Sequence, residues 1–394
     1  MPRAIGREAD PADLLAALIR CPSVTPDDAG SLGVLADYLE PLGFGIERLR
    51  FEGGGSYPVD NLFATRGTGG PHLLYGGHVD VVPAGHEADW THPPFSGALV
   101  DGEIWGRGAV DMKGSVAAFC AALHAVVGSG AADAGTISLI ITADEEADGV
   151  NGTKKVLEWA AARGHKFDFG LVGEPTSRDT FGDMLKTGRR GSLNGRIEIK
   201  GAQGHSAYPH EARNPLPVLA RVVSAIASTP LDDGTASFPP SHLTMTAIDT
   251  GNPAANVIPG RAEARFNVRF NDRWTELKLQ SWLAERIMEV PAEGCDVTLE
   301  ILPPVARAFV SAGAPGVEML AASVTAVTGR VPECSTSGGT SDARFVADYC
   351  PVAEFGGVGK LSHKTDERVG VAELVDLSAV YAHFVGAFLG PDSD

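Results

Sequence analysis

Thr136-Ile137-Ser138-Leu139-Ile140-Ile141-Thr142 runs straight into Ala143-Asp144-Glu145-Glu146. The first seven residues are an apolar run of strand length, of the kind buried inside a sheet. Three adjacent acids repel one another unless water or cations neutralise them, so a run of this kind is usually a solvated loop. Here it terminates a buried strand, and open α/β sheets place their ligands in the loops at the carboxyl ends of their strands.

Working outward, apolar runs of strand length recur at 61–65 and 72–75, and a helix predicted over 115–127 precedes the central run. Asp10-Pro11 reads as an N-cap with proline at the first helical position, opening a helix through Leu14, Leu15, Leu18 and Ile19. A second helix is predicted over 31–42, stopping at Gly43, and a further helix over 153–163 leads to a strand at 168–172. Strands alternating with helices predict an α/β fold, a mixed sheet flanked by helices.

After Lys186 the pattern changes. A half-exposed strand at 192–200, a helix at 215–228, strands at 243–249 and 261–270, a helix at 274–289 and a strand at 296–302 have the order of a ferredoxin-like α+β unit. After Pro303-Pro304 the α/β pattern resumes, with a helix near 315–327, a strand at 351–355 and a last helix at 371–389. The expected organisation is a first domain built from 1–188 and 304–394, interrupted by an inserted domain at 189–303. A chain of 394 residues suits two domains, one of them split in sequence.

Composition narrows the partners. Fifty acidic against thirty-two basic residues leave a formal charge of −18, the wrong sign for a nucleic-acid or anionic-membrane surface. Residues 1–10 have no apolar run of the signal-peptide kind, and the apolar stretch 116–127, broken by His124, is shorter than the roughly 20 residues of a membrane span. The five cysteines show no CxxC spacing and fit a reducing cytoplasm.

The chemistry lies in short motifs at predicted strand ends. His78 and Asp80 are two apart, so on an extended backbone both point the same way, and the carboxylate can orient a metal-binding imidazole. Asp111 sits in the glycine-rich segment Gly106-Arg107-Gly108-Ala109-Val110-Asp111-Met112-Lys113-Gly114, where it reads either as a helix N-cap or as a carboxylate bridging two cations. Glu145 and Glu146 can divide the work of general base and metal ligand. Glu174 precedes Pro175 in a turn, and His363 stands in a glycine-containing segment, 356–364. Each signal alone has a plain structural reading. Together, two histidines and several carboxylates form an N/O donor set that zinc and cobalt accept.

These motifs resemble the M20 family of dinuclear zinc amidohydrolases. The resemblance extends through Gly77–Pro83, Pro93-Pro94-Phe95, Asn151-Gly152-Thr153, Gly173-Glu174-Pro175-Thr176, Gly182-Asp183-Met184, Gly188-Arg189-Arg190-Gly191-Ser192, Gly204-His205-Ser206-Ala207-Tyr208-Pro209-His210, Asn256-Val257-Ile258-Pro259 and Gly338-Gly339-Thr340-Ser341-Asp342. It implies a zinc-peptidase-like catalytic domain and an inserted domain that serves dimerisation. Its implied ligands for two zinc ions, with cobalt as a substitute, are His78, Asp111, Glu146, Glu174 and His363. Asp111 would bridge, Asp80 would stand behind His78, and Glu145 would be the general acid/base. A histidine of one subunit, His205 by position, would complete the site of the other in a homodimer. Ser206 in place of a valine, and Ala255 in place of an asparagine, depart from the pattern.

The Gly-Arg-Arg-Gly-Ser and Tyr-Pro-His segments resemble members of the family that act on a succinylated diaminopimelate. The implied reaction is hydrolysis of N-succinyl-LL-2,6-diaminopimelate to succinate and LL-2,6-diaminopimelate. A polycarboxylate substrate calls for guanidinium forks, with Arg189, Arg190 and Arg269 as candidates and Ser192, Tyr208, Asn256, Gly339 and Thr340 as neighbours. Arg190 and Arg269 read equally well as partners in structural salt bridges. Two rival readings remain at this point: another reaction of the family, such as deacetylation of acetylornithine, aminoacylase or carboxypeptidase activity, and a metal-dependent binding protein without turnover, which would not need Glu145.

Overall fold

The central run is a strand, Thr136–Thr142, buried at every position. In the computed structural model the described residues are 10–390, so residues 1–9 of the chain start read above lie outside them. The chain divides into two compact units. The first holds the residues up to Gly188, Ser311–Ser335 and everything from Ser341 on; the second holds Arg189–Val310 and Thr336–Thr340.

The first unit is built on an eight-stranded mixed sheet in the order Gly45–Gly53, Ser56–Arg66, Thr136–Thr142, His72–His78, Phe169–Val172, Val352–Glu354, Met184–Lys186, Glu333–Ser335. His72–His78 lies parallel to Thr136–Thr142, with His78 opposite Thr142, and parallel to Phe169–Val172, with Gly76 opposite Val172. Three carboxyl ends therefore open on one edge of the sheet, and the loops after them start side by side. Parallel neighbours need a crossover, and helix Lys113–Gly128 supplies one between His72–His78 and Thr136–Thr142.

That helix is buried at every position from Lys113 to Leu123 because the sheet and the helices Pro11–Ile19 and Val371–Leu389 all pack against it. The latter, 19 residues long, is the one described helix whose length and composition would let it cross a membrane. Its stripe Leu374, Leu377, Val380, Tyr381, Phe384 and Val385 instead belongs to the first unit's hydrophobic core, the period of a helix buried on one face. Asp10 accepts a hydrogen bond from the Ala12 amide at 2.9 Å, so the expected N-cap is present. Sequence patterning missed the edge strand Gly45–Gly53, whose charged, half-exposed residues leave no apolar alternation, and it therefore cut Ser56–Arg66 short.

The second unit has an antiparallel sheet in the order His242–Asp249, Arg261–Phe270, Gly191–Lys200, Asp296–Ala306. Leu193, Ile197, Ile199, Ala264, Phe266 and Val268 share one face and a core with Val218 and Val222 of helix Pro215–Ala227 and Leu279 and Leu283 of helix Glu276–Met288. The order strand, helix, strand, strand, helix, strand with this pairing is the ferredoxin-like arrangement. The return to the first unit comes later than Pro303-Pro304. Asp296–Ala306 runs through both prolines because it is an edge strand with an irregular register there, so no ladder N–H is lost. The short segment Thr336–Thr340 also joins this unit, which no periodicity announced.

Candidate metal centre

His78 closes its strand in a fully buried position. Its Nδ1 is 2.9 Å from the Asp80 carbonyl, which leaves Nε2 as the acceptor nitrogen. That Nε2 is buried without a hydrogen-bond partner; Asp111 Oδ1 stands 3.4 Å away and Glu174 Oε1 3.9 Å away. A buried acceptor facing two carboxylates has no stable arrangement without a proton or a cation between them.

The Asp80 carboxylate stands behind His78 and has a second task besides. It lies 3.6 Å from Nδ1, farther than its own carbonyl, which is the group that sets the ring. The carboxylate also accepts the backbone amides of Glu145, at 3.2 Å, and Glu146, at 3.1 Å, and the Thr25 hydroxyl at 2.7 Å. Asp80 thus folds the acidic loop so that Glu145 and Glu146 face His78. Asp144, first of the three acids, is turned inward and holds the same loop through the amides of Gly149, Val150 and Asn151.

Asp111 is not a helix cap. The helix is capped at Met112 with no side-chain bond, so the Asp111 carboxylate is free to face the cluster. Its Oδ2 lies 3.4 Å from His363 Nε2, and that nitrogen is 2.9 Å from Glu146 Oε1. His363 has a left-handed backbone with φ of 62°, so a tight turn aims its ring. Two groups of ligand atoms lie close enough to hold an ion: His78, Asp111 and Glu146, and His78, Glu145 and Glu174, each within 4.8 Å. With His363 beside Asp111 and Glu146, the five expected ligands and Glu145 are gathered in one place.

The electrostatics fit the same picture. Burial lowers the proton affinity of His78, but Asp111, Asp80, Glu145 and Glu174 outweigh it and hold the imidazole well above its usual range. His363 is pushed up to about 10 by its contacts with Asp111 and Glu146. Burial would raise Asp111, yet the two histidines hold it well below the ordinary carboxylate range. Glu145 goes the other way: burial, then the charge on Glu174, push it well above a normal carboxyl. Clustered acids that bind protons this tightly will exchange them for divalent cations.

Two residues of the sequence motifs have roles that spacing did not reveal. Lys113 is buried and donates to the carbonyls of Leu18 and Cys21, both at 2.9 Å, so it ties the first helix to the sheet rather than facing the cluster. Arg107 is buried against Glu367. The glycine-flanked arginine was visible in the motif. Glu367 carried no signal, lying outside every motif.

The substrate candidates lie in the second unit, described by itself. Arg189 is buried and donates to the Gly339 carbonyl at 3.3 Å, so it shapes the 338–340 loop. His205 pairs across two short strands with Val257, and its Nδ1 accepts the Ala207 amide at 3.0 Å. The Tyr208 ring packs edge-on at 5.7 Å, and both side chains are exposed. Asn256 is exposed, its carbonyl accepting the Ser206 amide at 3.0 Å.

Arg190 and Arg269 answer the salt-bridge alternative. The open face of the sheet carries Arg196, Lys200, Arg261 and Arg265 at one end, each paired with Glu198, Glu263 or Glu300. At the other end the register sets Ser192, Arg269 and His242 side by side, and Arg190 Nη1 reaches to 3.5 Å from His242 Nδ1. Neither Arg190 nor Arg269 makes an ion pair with an acid among the described residues, and Arg190 Nε is buried without a partner. Burial and the neighbouring Arg190 pull Arg269 below its usual range, as uncompensated like charges do. His242 was not singled out in the sequence; only strand register brings it here.

Comparison with known proteins agrees with this geometry. The chain is 51% identical over 375 residues to the succinyl-diaminopimelate desuccinylase of Methylorubrum populi, covering 95% of this chain and 97% of that one. It is 52% identical over 372 residues to the protein of the same name from Rhodospirillum centenum, covering 94% and 95%. Among solved structures it resembles the aminopeptidase PepT of Bacillus cereus, with a TM-score of 0.76 at 20% identity, covering 97% and 99%. The pattern of peptidase family M20/M25/M40 matches residues 74–387, and with these relatives it makes the chain a member of that family of metal-dependent hydrolases.

Proposed function

We propose that the chain hydrolyses the amide bond of N-succinyl-LL-2,6-diaminopimelate, releasing succinate and LL-2,6-diaminopimelate, a step of diaminopimelate and lysine biosynthesis. The observation that carries the reading is one cluster holding five metal-ligating side chains and one carboxylate, Glu145, beyond what the ions need. Identity above one half to relatives named for this reaction, over nearly the whole chain, supports the substrate.

His78, Asp111, Glu146, Glu174 and His363 would hold two zinc ions, for which cobalt would substitute. When bound, the ions would supply Lewis acidity that acidifies water and polarises the amide carbonyl. Glu145 takes the proton from the attacking water and delivers it to the departing amine. Its raised proton affinity suits a group that must hold that proton between the two steps. Asp80 keeps Glu145 and Glu146 in place by accepting their amides.

The uncompensated cations Arg190 and Arg269, with Ser192 beside them, bind a substrate carboxylate, a role consistent with guanidinium recognition of planar anions. Tyr208, Asn256, Gly339 and Thr340 furnish further polar contacts. In this reading the protein is a cytoplasmic homodimer whose inserted unit makes the dimer contact. The exposed His205 of one subunit then donates a hydrogen bond to the developing oxyanion in the other. Nucleic acid and membrane are not partners.

Initial rates on succinyl-diaminopimelate, N-acetylornithine and a small dipeptide panel with added zinc test the proposal. The expected result is turnover of the first at least tenfold above the rest. Preference for another substrate moves the chain to another reaction of the family, and absence of turnover on all with two ions bound favours a binding protein.

A further inference from the structure

Asp111 and His363 are 252 positions apart in the chain, yet their ligand atoms approach within 3.4 Å. Neither sits inside a regular element: Asp111 ends a glycine-rich loop, and His363 stands on a left-handed turn. Antiparallel pairing of Glu103–Trp105 with Arg368–Gly370 brings the two segments together, but the loops beyond that ladder, which carry Asp111 and His363, are held by other bonds.

The groups between them are Arg107 and Glu367. Both are buried, with Arg107 Nη1 2.7 Å from Glu367 Oε2. The other carboxylate oxygen, Oε1, accepts the backbone amides of Val110 at 2.8 Å and Asp111 at 3.1 Å. The guanidinium donates to the carbonyls of Lys364 at 3.0 Å and His363 at 3.3 Å, and reaches Pro83, beyond the His78 loop, at 3.5 Å. The connection is crossed. The arginine comes from the Asp111 loop and holds the His363 loop; the glutamate comes from the His363 segment and holds the Asp111 loop. The Glu367 carbonyl also accepts the Gly106 amide at 2.9 Å.

A buried ion pair is a poor source of net stability compared with apolar groups of the same size, so stability alone does not account for one in this place. What it supplies is directional bonding to five backbone groups at once. We propose that Arg107 and Glu367 form a positioning clamp that sets the Asp111 and His363 donors at the separation one shared cation requires. The proposal rests on the two-ion reading of the centre. Neither residue touches the ion or the substrate; both act through the backbone of the ligand loops.

The test uses the full-length protein, stripped and then titrated with zinc against a chromophoric chelator, and with cobalt followed by its visible absorption. The wild-type chain is expected to take two ions. Glu367→Gln and Arg107→Lys should each weaken the ion held between Asp111 and His363 about 10–100-fold, the usual cost of losing an outer-shell partner, and the other ion less. The cobalt absorption of the ion between Asp111 and His363 should change shape, because its donors are displaced. Arg107→Lys is included because Glu367→Gln risks poor folding; a lysine keeps the charge but cannot serve Glu367 and two carbonyls together. Unchanged affinities at both positions, with a lower melting temperature, would make the pair merely structural and overturn the proposal. A wild-type chain that takes no second ion overturns the two-ion reading itself, and the clamp with it.

Discussion

The two units concentrate opposite charges, and each leaves its charges unbalanced in one place. In the first, Asp111, Glu145, Glu146 and Glu174 converge on two histidines, and among the described residues no lysine or arginine forms an ion pair with Asp111, Glu145 or Glu146. In the second, Arg190, Arg269 and His242 share one end of a sheet face whose other end is fully paired with glutamates. The second face shows what ordinary surface electrostatics looks like in this protein, because every cation at its far end has an acid within reach. Against that background an unmatched cluster marks a place where the missing charge arrives with a ligand: a metal for the acids, a carboxylate for the arginines. The supports differ as well. The acidic loop is fixed by backbone amides bonded to Asp80 and Asp144, whereas Arg269 is placed by strand register and Arg190 by the single residue that joins two strands.

The largest expected effect breaks the first cluster. Glu145→Gln should lower kcat by at least about 10²–10⁴-fold while leaving two ions bound, since the amide cannot accept a proton. Measured metal content alongside near-normal turnover would place the base elsewhere.

His205→Ala should lower kcat by about 10²–10³-fold, the cost of one oxyanion donor, with metal content unchanged. Mixing inactive Glu145→Gln chains with inactive His205→Ala chains should restore activity, because a mixed dimer has one site with both groups native. Proven subunit exchange without recovery would remove the trans role.

In the second cluster, Arg190→Ala or Arg269→Ala should raise KM by roughly 10–150-fold with a smaller change in kcat, corresponding to about 1.5–3 kcal/mol for a charged hydrogen bond. Arg196→Ala, from the paired end of the same face, is the control and should leave KM unchanged. Equal effects at both ends would end the distinction between them.

The smallest effect concerns protons. His363 in the metal-free chain is raised to about 10, so at pH 8 it is protonated when folded and neutral when unfolded. Its stabilising contribution is complete below the unfolded value near 6.5 and fades as pH rises through about 10. Metal-free protein should therefore lose melting temperature between pH 7 and 10, and the zinc-loaded form should lose less. Zinc titrated in buffers of different ionisation heat at pH 8 should release protons. A release of zero would show that the histidines are already neutral.

Much of the centre was legible because its ligands sit at strand ends, where an apolar run stopping at an acid or histidine is a local pattern. His78, Glu145, Glu146 and Glu174 follow from the three neighbouring strands His72–His78, Thr136–Thr142 and Phe169–Val172. Asp111 was ambiguous, since a cap and a ligand look alike before a helix, and only the observed start at Lys113 separates them. Asp80 stands behind His78 and also holds the acidic loop, because i and i+2 spacing gives direction but not the other bonds a carboxylate makes. Arg190 and Arg269 could not be settled at all in the sequence. Whether a cation is paired depends on residues across the sheet.

The sequence by itself determined the element types, the order of the two units and the chemistry available, because these follow from periodicity and residue type within short windows. Only the tertiary structure decided which groups meet. It carried Asp296–Ala306 past two prolines, since an edge strand needs fewer donors. It set His242 beside Arg269 by register. It joined Arg107 to Glu367 across 260 positions, burying a pair that neither segment announces. The physical reason is common to all three: pairing and burial are properties of the space between distant segments, and that space exists only after the chain has folded.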